Sequence, residues 1–258
     1  MDEDLLLQFE RLEETHWWFR GRRLIVRDTL ERWTPPDPRR IVEVGCGTGG
    51  LLLSLQSRWP AATVTGVEVN PRAVARARER GCDAREGRFE ELPVEPGSTD
   101  LLLALDVLEH LADDRPAVAA AREALRPGGR LILTVPALPA LWSSHDEVND
   151  HYRRYERPPL TRLVSAAGFR VDRTTFFNTL LLPLAVLERA VLRRLGRRPS
   201  LGLTVPPRPV NEALREVLAL EAALLRRRDL PVGLSLLLVA TRPGGDGRDG
   251  SGHGGEHA

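Results

Sequence analysis

The sequence predicts an α/β protein: a doubly wound, mainly parallel seven-stranded sheet with helices on both faces, N-terminal helices and a C-terminal helical insertion. Three observations carry this expectation. Apolar runs of strand length alternate with helix-patterned segments between residues 39 and 136, the pattern of parallel strands joined by crossover helices. The runs DLLLALD (100–106) and RLILTVP (130–136) stay apolar without alternation, as strands covered on both faces do. A glycine cluster, VEVGCGTGG, follows the first strand directly and opens a helix, the setting in which backbone N–H groups face a ligand.

The elements follow in order. Residues 3–14 read as a helix with Leu5, Leu6, Phe9 and Leu12 on one face, and 21–33 as a second that TPPDP (34–38) stops. RIVEV (40–44) is the first strand and LLLSLQSR the helix after the glycines. ATVTGVEV (62–69) is the second strand, and PRAVARARERG the helix after it, with proline in its first turn and glycine at its end. CDAREGRF is a weaker third strand and DLLLALD the fourth. DRPAVAAAREALRPGG is a helix running into a turn, and RLILTVP is the fifth strand. Beyond 137 the pattern changes. A polar loop leads into the helix PPLTRLVSAAGF and the strand RVDRTTFF; then come an apolar segment (178–195), a Pro/Arg/Gly loop (196–210), an amphipathic helix (211–228) and a last strand in GLSLLLVATRP. The tail GGDGRDGSGHGGEHA has a disordered composition.

Composition narrows the chemistry. The 258 residues are 42% hydrophobic and 28% charged, with a net charge of +1, so no broad positive field recruits nucleic acid. Every basic residue apart from histidine is arginine; the chain has no lysine, which excludes Schiff-base chemistry and a Tyr/Lys pair. Cys46 and Cys82 form neither a disulfide framework nor a CxxC metal pattern. The acidic N-terminus lacks the basic start and long apolar run of a signal peptide, and a cytoplasmic location is expected.

Gly45, Gly47 and Gly49 allow a tight turn and close backbone approach to a ligand. Gly45, Gly47 and Gly50 equally satisfy GxGxxG, so the motif alone leaves a dinucleotide open. Glu68 ends the second strand 23 residues after Gly45, where an acid can accept hydrogen bonds from both hydroxyls of an adenosine ribose. Glu43 lies inside the first strand, where a dinucleotide fold usually has an apolar residue.

With these residues, EELPVEPGSTDLLLALDVLEHL (90–111) and LRPGGRLILTVP (125–136), the chain resembles the class I S-adenosylmethionine-dependent methyltransferases, whose fold is Rossmann-like. The resemblance covers about 41–136. It implies that Glu43, Gly45, Cys46, Gly47 and Gly49 wrap the methionine portion of S-adenosylmethionine. It further implies that Glu68 and Val69 meet the adenosine, and that Asp106 and Val107 line the methyl-donor end. The family commonly has an Asp at the position of Arg88, which cannot accept a hydrogen bond; Glu90 or a backbone carbonyl is expected to replace it, with Phe89 along the adenine ring. HWWFRGRRLI (16–25) resembles the entry segment of a bacterial subgroup. It is also similar in placement to the segment before the first strand in ubiquinone-pathway O-methyltransferases, which implies an arginine for the cofactor's carboxylate, with Arg23 the best match and Arg22 the next.

Four regions are expected: an N-terminal flap over the cofactor site (1–38), the S-adenosylmethionine-binding core (39–136), an acceptor-binding lid with helical insertion and last strands (137–243), and the tail (244–258). His110, in DVLEH beyond the fourth strand, is the expected general base, since an imidazole titrates near neutrality. The loop HDEVNDHYRRY (145–155) holds two of six histidines and both tyrosines. It is expected to close over the acceptor, with His145 or His151 sharing the base role. Arg153 and Arg154 then pair with a phosphate or carboxylate, and Tyr152 or Tyr155 covers a ring. The competing readings are a solvated connector and a metal site that adds His145 or His151 to Glu109 and His110; no metal is expected.

The expected activity is methyl transfer to a small-molecule, glycan or lipid-linked acceptor, at oxygen. The alternatives are a catalytically silent scaffold of the same fold or, further off, an NAD(P)-dependent oxidoreductase. Residues 176–198 carry a short apolar run and then Arg189, Arg193, Arg194, Arg197 and Arg198, a pattern compatible with peripheral membrane contact, a packed lid helix or a homodimer contact.

Overall fold

A computed structural model describes residues 10–194 and 205–244. Its seven strands are β1 (Arg40–Val44), β2 (Thr63–Glu68), β3 (Asp83–Glu86), β4 (Thr99–Leu105), β5 (Leu125–Pro136), β6 (Arg170–Phe177) and β7 (Ser235–Thr241). They form one sheet in the order β3-β2-β1-β4-β5-β7-β6. β7 runs antiparallel between β5 and β6, and the other strand pairs are parallel. The expected sheet is therefore present. The chain winds outwards from β1 towards β3, then from β4 towards the other edge, so the carboxyl ends of β1 and β4 flank the switch point where such sheets bind ligands.

Every residue of β4 is buried, because each face of the sheet is covered. On one face Val42, Val44, Leu102 and Ala104 pack with Leu108, with Ala117, Val118 and Ala121 of α4 (Arg115–Ala124), and with Leu160 and Val164 of α6 (Arg157–Ala166). On the other, Ile41, Leu101 and Leu103 pack with Ile25 and Leu30 of α1 (Trp17–Trp33), Leu52 of α2 (Gly50–Arg58), Val74 of α3 (Pro71–Glu79) and Leu225 of α8 (Arg208–Leu225). Truncating one of these leucines to alanine costs about 2–5 kcal/mol.

α1 begins four residues before its expected start. His16 caps it, the Nδ1 accepting from Trp18 N at 3.2 Å, and residues 10–15 form a separate helical stretch before it. Trp18 stacks on Phe177 at 5.9 Å, an ordinary core use of one of the paired tryptophans. Gly21 lies where α1 meets α8: a Cβ there would stand 2.5 Å from Leu218, so glycine permits the close crossing. Asn211 on α8 fastens the junction, its side chain accepting from Trp17 N and donating to Thr15 O, both at 2.9 Å.

β5 also starts earlier than expected, at Leu125. The helix ends at Ala124; Leu125 is already extended and pairs with Thr99, and the register shifts before Leu101 meets Arg130. The loop at 137–156 has local structure of its own. It contains a 3-10 turn (Pro139–Leu141) and α5 (Ser144–Val148), whose capping box joins Ser143 and Asp146. After β6 comes α7 (Leu182–Arg194), exposing Leu184, Val186, Leu187 and Val191. No helix among the described residues is long and apolar enough to cross a membrane. Leu5, Leu6, Phe9, Arg197, Arg198 and the tail lie outside the described residues.

Candidate active site

The glycine turn leaves β1 through three left-handed residues, Gly45 (φ 72°), Gly47 (φ 53°) and Gly49 (φ 84°), a conformation costly to residues with a Cβ. Gly45 N donates to Val67 O at 2.8 Å, which ties the turn to the end of β2. A Cβ at Gly45 would meet Val107 at 2.6 Å. The turn is thus wedged between β2 and the corner after β4. Cys46 is buried, and burial pushes its thiol well up, so it stays protonated.

Glu68 at the end of β2 accepts from Gly47 N through one oxygen and from Asn70 N through the other, each at 3.0 Å. Each oxygen keeps a lone pair for a further donor, which suits a pair of ribose hydroxyls. Val69 beside it is 63% exposed and free to meet an adenine. Phe89 departs from expectation: it is buried in the core beside Val67, with no open ring face. Glu90 stands 3.7 Å from the Arg88 guanidinium.

Glu43 is buried, and its Oε2 has no hydrogen-bond partner. Burial, with the neighbouring Glu13 carboxylate, holds its carboxyl well above the ordinary value. Glu13, in the helical stretch at 10–15, escaped the sequence reading. Its Oε1 lies 3.9 Å from where a Gly47 Cβ would stand, and a Cβ at Gly50 would collide with Oε2. The two arginines expected near the cofactor's carboxylate are placed differently. Arg23 is exposed and donates to Glu13 O, whereas Arg22 reaches inward and pairs with Asp106.

Asp106 sits just past β4 at φ 59°, a strained setting of the kind that clusters at functional sites. Besides Arg22 it accepts from Thr134 Oγ1 at 3.0 Å. The short 3-10 turn that follows (Leu108–His110) presents Glu109 and His110. Glu109 is buried with Oε2 unpartnered, and burial together with Asp106 pushes its carboxyl well above the usual range. Tyr152 N donates to Glu109 O at 2.7 Å, bringing the 145–155 loop onto this turn. His151 then lies edge-on to His110, ring centres 4.7 Å apart, with His145 6.5 Å from His151. Ligand-type atoms of Glu109, His110 and His151 fall within 4.8 Å of one another. Burial, and then His151, lower the His110 pKa, so its imidazole is neutral near pH 7.

The loop's remaining polar groups are largely spent inside the protein. Arg154 donates to buried Asp146 at 2.7 Å and to Ala137 O at 3.1 Å. Arg153 pairs with Asp114 and with the carbonyls of Leu111 and Ala112. Tyr155 is buried, its hydroxyl donating to Asp114 at 2.8 Å. These three were expected to touch an acceptor; in the structure their polar groups bond within the protein, and Tyr152 alone of the four is exposed. Among the described residues, Arg189 of α7 has a guanidinium nitrogen to spare. It is half-buried rather than turned to headgroups, its Nη1 lacks a partner, and burial, then Arg154, depress its pKa.

A glycine turn, an acid at the end of β2 and an acidic corner after β4, all on one sheet edge, define a nucleoside-cofactor enzyme of the doubly wound class. The chain belongs to the methyltransferase-domain family, whose model matches residues 17–174, and is a class I S-adenosylmethionine-dependent methyltransferase. It is 28% identical to a probable S-adenosylmethionine-dependent methyltransferase of Mycolicibacterium smegmatis, over 90% of this chain and 91% of that protein. It is 34% identical to a trans-aconitate 2-methyltransferase of a Mycobacterium species, over 57% of this chain. That match spans only 56% of the trans-aconitate enzyme's length. In fold it is similar to phosphoethanolamine N-methyltransferase 2 of Haemonchus contortus in complex with S-adenosyl-L-methionine, at TM-score 0.59 and 16% identity, over 85% of this chain and 53% of that one. The residues present fit this cofactor: there is open room at Gly47 that a Cβ would fill, Glu68 keeps free lone pairs, and Glu43 has a buried oxygen in want of a donor.

Proposed function

We propose that the enzyme transfers the methyl group to an oxygen of a small-molecule acceptor that carries an anionic group. The acceptor enters over the corner formed by Asp106, His110, His151 and Tyr152. The single observation behind this reading is the meeting of His110 and His151 beside Asp106, which gives a neutral imidazole at the methyl-donor end. S-adenosylmethionine supplies an activated methyl on a sulfonium. The protein's work is to align a nucleophile with it, worth about 7–11 kcal/mol of barrier, and to remove the acceptor's proton, worth about 10²–10⁴-fold. His110 takes that proton. His151 sits against it, its Nδ1 3.2 Å from Asp146. Arg189, with its unpartnered Nη1, meets the acceptor's carboxylate or phosphate, the task the sequence had given to Arg153 and Arg154. The trans-aconitate 2-methyltransferases, relatives of the core, act by name on trans-aconitate, which supports a small acidic acceptor. Glycan- and lipid-linked acceptors, membrane contact through α7 and a homodimer find no such support.

A second reading of the same corner is a divalent cation on Glu109, His110 and His151, favoured by the unpartnered Glu109 Oε2. The deciding experiment follows S-adenosylhomocysteine release with a panel of small acids, phosphates, phenols and amines. Turnover confined to amines sinks the oxygen assignment, and silence with every acceptor returns the chain to a binding scaffold.

A further inference from the structure

Two carboxylates face the glycine turn, and neither has a cation of its own. Among the described residues no hydrogen bond or ion pair reaches the carboxylate of Glu13. Its three arginine neighbours are engaged elsewhere: Arg22 with Asp106, Arg23 with the Glu13 backbone carbonyl, Arg80 with Thr48 and Glu10. Glu43 has its orphaned buried oxygen. Glu13 is near enough for its charge to raise the buried Glu43 carboxyl, an arrangement that is costly unless a positive group completes it.

Glu13 is also held in place. Glu10, one turn earlier, accepts from Arg76 at 2.9 and 3.1 Å and stands 3.6 Å from Arg80. Arg80 in turn donates to Thr48 O at 3.0 Å. Beyond Glu13 the chain is fixed by Asn211 at Thr15 and Trp17. The stretch 10–15 is therefore tied down at both ends, with Glu13 set against Gly47 and Gly50.

We propose that Glu13 is a ligand for the α-ammonium group of S-adenosylmethionine, completing with Glu43 a two-carboxylate cation subsite on the glycine turn. The ammonium is the hydrogen-bond donor that such a pair lacks, with three N–H groups to share. A charge-assisted bond of this kind is shorter and stronger than a neutral one. The inference rests on the cofactor and is independent of what accepts the methyl.

Calorimetry on the full chain, with S-adenosylhomocysteine and its analogue lacking the α-amino group, tests this. The unaltered protein should bind S-adenosylhomocysteine at least tenfold more tightly than the deamino compound. Glu13→Gln should remove most of that preference, leaving deamino binding within about twofold and the melting temperature unchanged. Equal weakening of both ligands would reduce Glu13 to a structural contact. Tighter S-adenosylhomocysteine binding by Glu13→Gln would make it a plug that competes with the cofactor, and no change would make it a bystander. Each of these overturns the proposal. If the unaltered protein fails to bind S-adenosylhomocysteine, the cofactor itself is wrong.

Discussion

The buried Asp146 carboxylate orients His151 across the loop: Oδ1 lies 3.2 Å from His151 Nδ1 and also accepts from Arg154 Nε at 2.7 Å. An acceptor-only carboxylate, fixed by an arginine, assigns the proton to Nδ1. The chain from Arg154 through Asp146 to His151 thus sets the chemistry of a ring that touches His110.

The first prediction concerns this chain. Asp146 is fully buried and the Arg154 side chain is 5% exposed, so Asp146→Asn strands a buried charge. The expected loss is about 3–5 kcal/mol, a fall in melting temperature on the order of 10 °C. Burial alone would raise the Asp146 pKa, but hydrogen bonds from His151 and Arg154 outweigh it and hold it far below the ordinary range. With the folded-state pKa below the unfolded value of about 3.9, the stabilisation is complete above roughly pH 5 and is lost only as pH falls through the folded-state value. Denaturant unfolding of the two proteins should show a constant gap from about pH 5 to about pH 8. A gap that closes near neutral pH would contradict the pairing.

His110 gives the second. Its pKa is depressed by burial and by His151, so the acid limb of turnover should fall below the ordinary imidazole value of about 6.5. His110→Ala should lower kcat at least tenfold and leave S-adenosylhomocysteine affinity within about twofold. Turnover whose acid limb lies above neutrality would exclude His110 as the base.

Much of this was legible beforehand, for local reasons. β1, β2 and β4 are short apolar runs, and the glycines, Glu68 and Asp106 fall at strand ends, so sequence position alone placed them on one edge. What escaped depended on partners distant in the chain. Arg153 and Tyr155 look free when read in order, but their partner Asp114 lies about forty residues upstream; Arg154 bonds Asp146 within the loop itself, a pairing its polar neighbours obscure. The family resemblance alone set Phe89 along the adenine; its ring is buried in the core beside Val67. Glu13 went unnoticed because the N-terminal helix was read for its apolar face. An acid one turn after Glu10 and just before HWWF was the available signal.

The third prediction addresses the turn. Gly47 holds a left-handed φ and lies between the Glu68 and Glu13 carboxylates. Gly47→Val should abolish S-adenosylhomocysteine binding, since a β-branched residue is strained there and blocks the ligand's approach. Retained binding by a folded Gly47→Val protein would place the cofactor elsewhere.

The fourth follows from protons. Burial, and in second place Glu13, raise Glu43 well above the ordinary carboxyl value, and burial also raises Glu13. A cationic group entering between them favours their ionised forms, so binding releases protons and tightens as pH rises through the free-protein pKa values. Calorimetry in buffers of different ionisation enthalpy should reveal this release, and Glu43→Gln should diminish it. Binding enthalpies that are identical in every buffer would remove the linkage.

The last prediction separates the two readings of the corner where His110 meets His151. If His110 is a base, the reaction needs no added ion, and turnover should survive exhaustive treatment with EDTA. His151→Ala should then reduce kcat by at least tenfold through loss of the ring that packs against His110 at 4.7 Å. His145→Ala should act more weakly, because that ring is 6.5 Å from His151 and its imidazole hydrogen-bonds within its own helix, to Asn149 at 3.4 Å. Arg189→Ala should raise the acceptor KM about tenfold with kcat little changed, the signature of lost ground-state binding. Arg154→Ala should instead lower both stability and turnover, since it removes the partner of Asp146. Activity lost to EDTA and restored by a divalent cation would turn His110 and His151 into ligands, with Glu109 Oε2 as the third. The acceptor's proton would then be lost because a bound cation lowers its pKa, and no imidazole would be needed to take it.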